Sequence, residues 1–519
     1  MIRSFLTVST GTLASRLLGF ARDSMIAALL GAGPVADAFL VAFQLVNVVR
    51  RLLTEGALNA ALVPAWLRVR EAEGAVAASA FAGRVLGTVS AALIVAAALI
   101  GLLMPFVIAV LAPGFAGHPT LQLAVDDARL MLPYLAFAGP VTVMMALMNA
   151  QARFALTAFS PLLFNIALIA VMIALIWRQD AASAALVIAA TVGITGLLQL
   201  SILVLRRGGS VVAAPLRISF DAGMRGFLGQ AIPGMIASAS PQLLVVAGAV
   251  IASASPSAVS WLYFANRLVE LPLGIVGAAM GTVLVPELTH ALHGEDRTAV
   301  ARAESRGLEL AVGLALPATL GLIVLGEPIA RMLFEHGVFT PSDTAATARA
   351  LRWLALGLPA HVLVKALSPA FFARHDTRTP LLATFRGLVV TIVLAIVFGR
   401  IFGAEGVAAS IACGAWSSAF SLLRRGAATF GFSIDAAARR RLPRIAAAAL
   451  AMGGLLWLTA RFLPAPGANA HGLAQAVVLM VLISCAIAVY GVLLAMLGVT
   501  KLGDAVNALR QTRPGDLRD

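Results

Sequence analysis

Long runs of apolar residues alternate along the chain with short polar breaks, and glycine, proline and charged residues mark most of the breaks. A helix needs about 20 apolar residues to cross the hydrocarbon core of a bilayer, so each run predicts one membrane-spanning helix. The pattern predicts about fourteen helices. They lie near residues 5–30, 35–64, 80–112, 126–151, 157–177, 182–205, 225–253, 258–290, 305–326, 342–372, 379–402, 405–424, 442–462 and 473–498.

The composition supports an all-α polytopic membrane protein. Of the 519 residues, 60% are hydrophobic and 12% are charged, and the mean hydropathy is +0.95. A chain this apolar leaves no room for a separate soluble domain. The first run contains Arg16 and Arg22 and lacks a convincing cleavage site, so we interpret it as a retained helix rather than a signal peptide. Cys413 and Cys485 lie in apolar runs, and we expect no disulfide, metal or cofactor.

The formal net charge of +14 reflects topology better than a nucleic-acid partner, because most basic residues fall in short loops between apolar runs. An inside N-terminus places about 24 of the 38 lysines and arginines on the inner side and about 7 on the outer side. This bias predicts that both termini are cytoplasmic. The remaining basic residues fall at membrane depth.

Four prolines in the first half of the chain recur about 220 residues later. The pairs are Pro64 with Pro286, Pro105 with Pro328, Pro140 with Pro359, and Pro161 with Pro380. A repeat of this length holds six helices, so both copies would have the same orientation and enclose a central cavity. We therefore predict an N-lobe at 1–215, a C-lobe at 216–430, two extra helices at 431–500, and a cytoplasmic tail at 501–519.

Several charged side chains fall inside the apolar runs, where charge is costly and usually functional. Five are arginines and four are acids: Arg16, Arg22, Arg50, Arg51 and Arg267, with Asp23, Asp37, Glu55 and Glu270. A polar stripe also runs along the second predicted helix through Asp37, Gln44, Asn47, Arg51, Glu55 and Asn59. The arginines exceed the acids, and guanidinium groups favour phosphate oxygens. The pattern predicts a phosphate or pyrophosphate site; the alternative is a set of internal ion pairs, above all for Asp23 and Glu55.

Sequence motifs at the same positions resemble the MurJ (MviN) family of lipid II flippases. The resemblance rests on the run 15–23 (SRLLGFARD), the step 36–39 (ADAF), the segments 47–51 (NVVRR) and 55–57 (EGA), and on 112–115, 153–154, 261–272, 333–340 and 365–380. It implies a fourteen-helix transporter of the multidrug/oligosaccharidyl-lipid/polysaccharide (MOP) exporter superfamily. Such a protein would move undecaprenyl-pyrophosphate-linked peptidoglycan precursor from the inner to the outer leaflet of the bacterial cytoplasmic membrane.

The resemblance also implies which residues form the site. It places the cavity arginines on Arg16, Arg22, Arg50 and Arg267, with Asp37 as the matching acid. Supporting positions are Ser15, Asp23, Asn47, Arg51, Glu55, Ser260 and Glu270. Helical geometry instead puts Arg51 on the polar stripe, so Arg50 and Arg51 both remain candidates for substrate binding. The last two helices would form an apolar groove for the lipid tail.

We expect alternating access by a monomer, with lipid II and membrane lipids as its partners and no nucleic acid. The residues do not show whether an ion or the membrane potential drives the cycle. Two alternatives stay open: a related exporter of drugs or of another polyprenyl-linked oligosaccharide, and a polyprenyl-phosphate transferase. The enzyme is disfavoured, because that chemistry usually needs clustered acids for Mg²⁺ near a membrane surface, and the adjacent acids Asp126 and Asp127 fall in a short outer loop.

Overall fold

The computed structural model describes residues 2–54, 57–151, 153–177, 180–206, 213, 215–279, 297–372, 374, 376–430, 435–462 and 473–499. These residues are almost entirely helical, and no strand occurs among them. The first helices are α1 (Ile2–Leu30), α2 (Pro34–Thr54), α3 (Ala57–Leu102), α4 (Met104–Leu111), α5 (Pro119–Met131), α6 (Pro133–Ala150), α7 (Phe154–Leu175) and α8 (Ala181–Arg206). The others are α9 (Ala222–Ser238), α10 (Ser240–Ala252), α11 (Ala258–Ala279), α12 (Arg297–Phe334), α13 (Pro341–Phe372), α14 (Arg378–Phe430), α15 (Ala436–Phe462) and α16 (Leu473–Met496).

Breaks between helices follow the backbone chemistry of glycine and proline. Gly74 inside α3 and Gly403 inside α14 have φ of +88° and +58°, which divides each helix into two segments. The break at Gly403 separates the predicted helices 379–402 and 405–424. The run predicted at 225–253 forms α9 and α10, which meet at a bend of 60°. Pro241 lies in the first turn of α10 and cannot donate to the hydrogen-bond ladder of α9.

Eight of the described helices are long and apolar enough to cross a membrane, or nine if the bent pair α9 and α10 forms one span. Helix α2 is not among these eight, and its 21 residues include Asp37, Arg50 and Arg51. The number fourteen stays a prediction. These candidate spans agree with the prediction of a multi-pass membrane protein.

The helices group into two compact units. The first comprises residues 1–264, 333–350 and 376–414, and the second comprises residues 265–332, 351–375 and 415–519. In the first unit α3 packs on α6, α1 packs on α7, and α2 packs on α5. In the second unit Leu325 of α12, Leu456 of α15 and Leu479 of α16 form an apolar cluster. The division into an N-lobe, a C-lobe and two extra helices stays a prediction.

Helix α2 is enclosed by other helices of the first unit, because α5, α6, α8 and α10 all contact it. Ala36, Phe39 and Leu40 are fully buried. Asp37, Gln44 and Asn47 are also buried, although the helix carries them among apolar residues. Polar groups at such positions require partners within the protein. These partners define the candidate site.

The loop that follows α12 is fastened to the end of α1 within the first unit. The Val338 amide donates to the Ala28 carbonyl at 3.0 Å, and the Ser24 hydroxyl donates to the Leu333 carbonyl. Gly31 and Gly337 allow the close approach, since each has a positive φ and faces backbone of the other segment. A β-carbon at Gly337 would lie 2.2 Å from the Ala28 oxygen. The two segments therefore meet through their backbones.

Candidate functional site

Arg22 is a buried cation held by several partners in the first unit. Arg22 lies on α1, and the residue is only 4% exposed. Nε and Nη2 donate to Oδ1 of Asp23 at 2.9 and 2.6 Å, and Nη1 donates to Oδ1 of Asn165 at 3.0 Å. The guanidinium carbon also lies 5.2 Å from the ring centroid of Phe43 and 5.8 Å from that of Phe164. These contacts stabilise the charge through hydrogen bonds and cation–π interactions.

Asp23 connects α1 to α11 beside this cation. It is fully buried, and its Oδ1 also accepts a hydrogen bond from the Tyr263 hydroxyl at 3.2 Å. The side-chain oxygen of Asn165 accepts from Arg22, and its side-chain nitrogen donates to the Ser15 carbonyl at 3.1 Å. Asp23 thus has the geometry of the internal ion pair that the sequence left open as an alternative. Ser15 contributes its backbone oxygen to the same cluster.

Arg50 lies beside the Arg22 cluster, and Arg51 turns away to another helix. Nε and Nη2 of Arg50 donate to Oδ1 of Asn47 at 3.3 and 3.0 Å. Its guanidinium carbon lies 5.6 Å from the centroid of Phe164, the ring that Arg22 also contacts. Arg51 donates from Nη1 to Oε1 of Gln242 in α10 at 2.5 Å. Both arginines are half-buried, and Arg50 shares the Phe164 ring with Arg22.

Asp37 caps the N-terminus of α11 and is fully engaged there. Its carboxylate accepts hydrogen bonds from the backbone amides of Ser257 and Ser260, both at 2.9 Å, and from the Ser260 hydroxyl at 2.5 Å. The exposed amides and the macrodipole at a helix N-terminus favour a carboxylate. Asp37 precedes Phe43 by six residues of α2, or roughly 9 Å along the helix axis. Asp37 and Ser260 therefore form a structural contact separate from the Arg22 cluster.

The Asp37 contact predicts a measurable loss of stability. We expect Asp37→Asn to lower the free energy of unfolding by about 1–2 kcal/mol, because an amide cannot supply a charged acceptor to the three donors of α11. Chemical denaturation in detergent micelles would measure it. Asp126→Asn is the matched control, since the Asp126 carboxylate accepts from Gln122 on an exposed surface. Equal stability of the two variants would contradict the capping role.

Arg267 forms a separate local pair in the second unit. Its Nη1 donates to Oε2 of Glu270 at 2.9 Å, and the Asn266 side-chain amide donates to the other oxygen of Glu270 at 3.0 Å. Arg16 is half-buried in α1. Glu55 lies outside the described residues, and so does the side chain of Asn59. Of the predicted site, the structure thus brings Arg22, Asp23, Arg50, Asn47 and Ser15 together within the first unit.

The partners Asn165, Phe43, Phe164, Tyr263 and Gln242 were not predicted from the sequence. The aromatic residues look like ordinary core in apolar runs. Asn165 carries the one usable signal, because it is a lone side-chain amide in the predicted helix 157–177 and such a group requires a partner at membrane depth. Which partner it finds depends on packing across 143 residues of sequence.

Arginines outnumber acids among the described side chains of α1 and α2. The described side chains of α1 and α2 include the cations Arg16, Arg22, Arg50 and Arg51 and the acids Asp23 and Asp37. The side-chain amides of Asn47 and Gln242 orient Arg50 and Arg51, respectively. Planar guanidinium groups that are oriented in this way can donate paired hydrogen bonds to phosphate oxygens. The arrangement suits an anion rather than a cation.

Comparison with known proteins gives consistent matches over almost the whole chain. Residues 26–490 match the family model described as lipid II flippase MurJ. A protein of Rhizobium meliloti (strain 1021), named probable lipid II flippase MurJ, is 37% identical over 496 residues, which cover 94% of this chain and 92% of that protein.

Two solved structures share the fold at low sequence identity. The first is described as lipid II flippase MurJ in an inward closed conformation. It has a TM-score of 0.78 and 22% identity, and the match covers 95% of this chain and 98% of that one. The second is an inward-facing multidrug resistance MATE family transporter of the MOP superfamily. Its TM-score is 0.64 at 16% identity, with 85% of this chain and 98% of that chain covered.

Proposed function

Because the chain belongs to the lipid II flippase MurJ family, we propose that it moves lipid II from the inner to the outer leaflet of the bacterial cytoplasmic membrane for cell wall synthesis. The family match confirms the resemblance seen in the sequence, and the two structural matches confirm the all-α fold of the MOP superfamily. The protein is a multi-pass membrane transporter rather than an enzyme. The match over residues 26–490 is the observation that carries the proposal.

The proposed substrate contact is the pyrophosphate of lipid II, and Arg50 is its first partner. Arg50 is half-buried, whereas Arg22 is almost fully enclosed by Asp23, Asn165 and the two aromatic rings. A pyrophosphate that accepts from Arg50 would also lie in the field of Arg22, because both guanidinium groups flank the ring of Phe164. Charge close to the ligand acts strongly where water is largely excluded. Arg22 would thus act through its charge more than through direct contact.

We propose alternating access by a monomer, with both termini cytoplasmic and the lipid tail outside the polar site. The proposal requires no cofactor. Arg16, Arg51 and Arg267 are included as further anion-binding positions, and Glu55 and Glu270 as acids that compete for arginines. Support comes from the excess of arginines over acids and from the family membership.

Depletion of the protein tests the proposal directly. We expect lipid II to accumulate in the inner leaflet, and an externally added enzyme that cleaves lipid II would measure the outer-leaflet fraction. Arg50→Ala should lower that fraction by roughly 10- to 100-fold, the effect of one charge-assisted hydrogen bond worth about 1.5–3 kcal/mol. Arg16→Ala and Arg267→Ala should act in the same direction.

Arg400→Ala is the matched control, because Arg400 is exposed on α14. It should transport normally at equal membrane abundance. If depletion left the outer-leaflet fraction unchanged, the proposed function would be wrong. If depletion blocked translocation but Arg16→Ala, Arg50→Ala and Arg267→Ala all restored it, only the anion site would be wrong.

A further inference from the structure

The connector between α8 and α9, defined here as residues 215–221, is an extended segment fastened along α3. The Arg217 amide donates to the Gly83 carbonyl at 3.5 Å. The Ser219 amide donates to the Thr88 hydroxyl at 3.0 Å, and that hydroxyl donates to the Ser219 carbonyl at 3.3 Å. Gly87 allows the connector to lie close to α3, because a β-carbon at this position would lie 2.6 Å from the Arg217 carbonyl oxygen. The connector therefore has one defined register on α3.

Three large apolar side chains of the connector are exposed. Leu216, Ile218 and Phe220 are 64%, 63% and 66% exposed. The backbone of Arg217 and the backbone amide and carbonyl of Ser219 contact α3, whereas the three apolar side chains remain exposed. The connector thus presents a row of three large apolar side chains away from the protein.

The charged residues beside these three apolar side chains indicate which kind of surface contacts them. Arg84 lies 3.6 Å from Asp221, and Arg217 and Arg225 are exposed on the same segment and on the first turn of α9. Three cations therefore lie on or beside a segment that carries one acid. A surface that combines exposed apolar side chains with excess arginine is typical of contact with an anionic lipid surface.

The depth of the connector follows from its backbone. Both neighbouring elements, α8 and the bent pair α9 and α10, are candidate membrane spans. A non-helical backbone cannot face the hydrocarbon core, because its amides and carbonyls would lack partners there. We infer that the connector is an interfacial anchor, in which Leu216, Ile218 and Phe220 insert at the boundary between headgroups and acyl chains. Arg217 and Arg225 bind the headgroups of anionic phospholipids.

Site-directed spin labelling tests the insertion in reconstituted full-length protein. The background carries Cys413→Ala and Cys485→Ala, and single labels are placed by Leu216→Cys, Ile218→Cys, Phe220→Cys and Ser219→Cys. We expect labels at 216, 218 and 220 to collide several-fold more often with oxygen than with a water-soluble nickel chelate. The label at 219 should be shielded from both reagents. Preferred collision with nickel at all four sites would overturn the anchor, and shielding from both reagents at 216, 218 and 220 would indicate a protein partner instead.

The lipid class is tested by quenching of a fluorophore attached at Phe220→Cys. Vesicles of phosphatidylcholine would contain doxyl-labelled phosphatidylglycerol or doxyl-labelled phosphatidylcholine. We expect about fivefold enrichment of the anionic lipid for each arginine that contacts it. Arg217→Gln with Arg225→Gln should abolish the preference, whereas Arg400→Gln should retain it. Equal quenching by the two lipids in the parent chain would contradict the role of the arginines.

Discussion

Replacing Arg22 with alanine is expected to abolish lipid II transport and to lower the free energy of unfolding by about 3–5 kcal/mol. The stability loss arises because Asp23 is fully buried and would lose the guanidinium that donates to it at 2.6 and 2.9 Å. The transport loss arises because one of the two positive charges beside Phe164 is removed. Denaturation in micelles and outer-leaflet accessibility of lipid II measure the two effects separately.

A double variant separates the two roles of Arg22. Arg22→Ala with Asp23→Ala removes the buried charge together with its partner, so stability should recover in part. Transport should remain absent if the Arg22 charge contributes to anion binding. Recovery of transport in the double variant would show that Arg22 serves only as half of an ion pair. Arg22→Lys should give an intermediate result, because an ammonium keeps the charge but not the fork that spans Asp23 and Asn165.

Gly337→Ala is expected to destabilise the protein by more than about 3 kcal/mol, the second large effect. Two causes combine at this position. The backbone has φ of +59°, which an alanine adopts only with strain, and the new methyl group would lie 2.2 Å from the Ala28 oxygen. The oxygen belongs to the backbone of α1 and cannot move without shifting the helix. The loop after α12 should therefore separate from α1, which limited proteolysis of that loop would detect.

Gly117→Ala is the matched control for this effect. Gly117 also lies in a loop with a positive φ of +78°, but no atom lies within 4 Å of its would-be β-carbon. The control carries the conformational strain without the steric clash and should cost about 1 kcal/mol. If the two variants were equally stable, the close approach of Gly337 to Ala28 would contribute nothing.

The sequence predicts the helices well because a helix must be about 20 residues long to cross the bilayer core, so the length of an apolar run indicates a span. Gly403 illustrates this, since the break it causes lies where the pattern separates two helices. The bend at 239 was missed, because the short break at 238–242 (SASPQ) lies inside a longer apolar run that predicts one helix. The total of fourteen helices goes beyond the eight or nine spans of the described residues.

The charged residues of the site could be predicted from the sequence, but the residues that contact them could not. Arg22 and Arg50 stand out because charge in an apolar run is costly, whereas Phe164 looks like any core residue. Asp37 stands out for the same reason, yet its position in α2 cannot reveal that it meets the N-terminus of a helix 220 residues away. Helical spacing favoured Arg51 for the polar stripe. The long Arg50 side chain can still reach Phe164, which a projection of α-carbons does not show.

The backbone contact between the loop after α12 and α1 constrains loop length more than loop sequence. Because the Val338 amide and the Ala28 carbonyl form the bond, most side chains at these two positions would preserve it. One inserted residue between Phe334 and Val338 would displace the amide by roughly 3.3 Å and break the bond. Natural variants of this chain should therefore tolerate substitutions in the loop and exclude insertions or deletions.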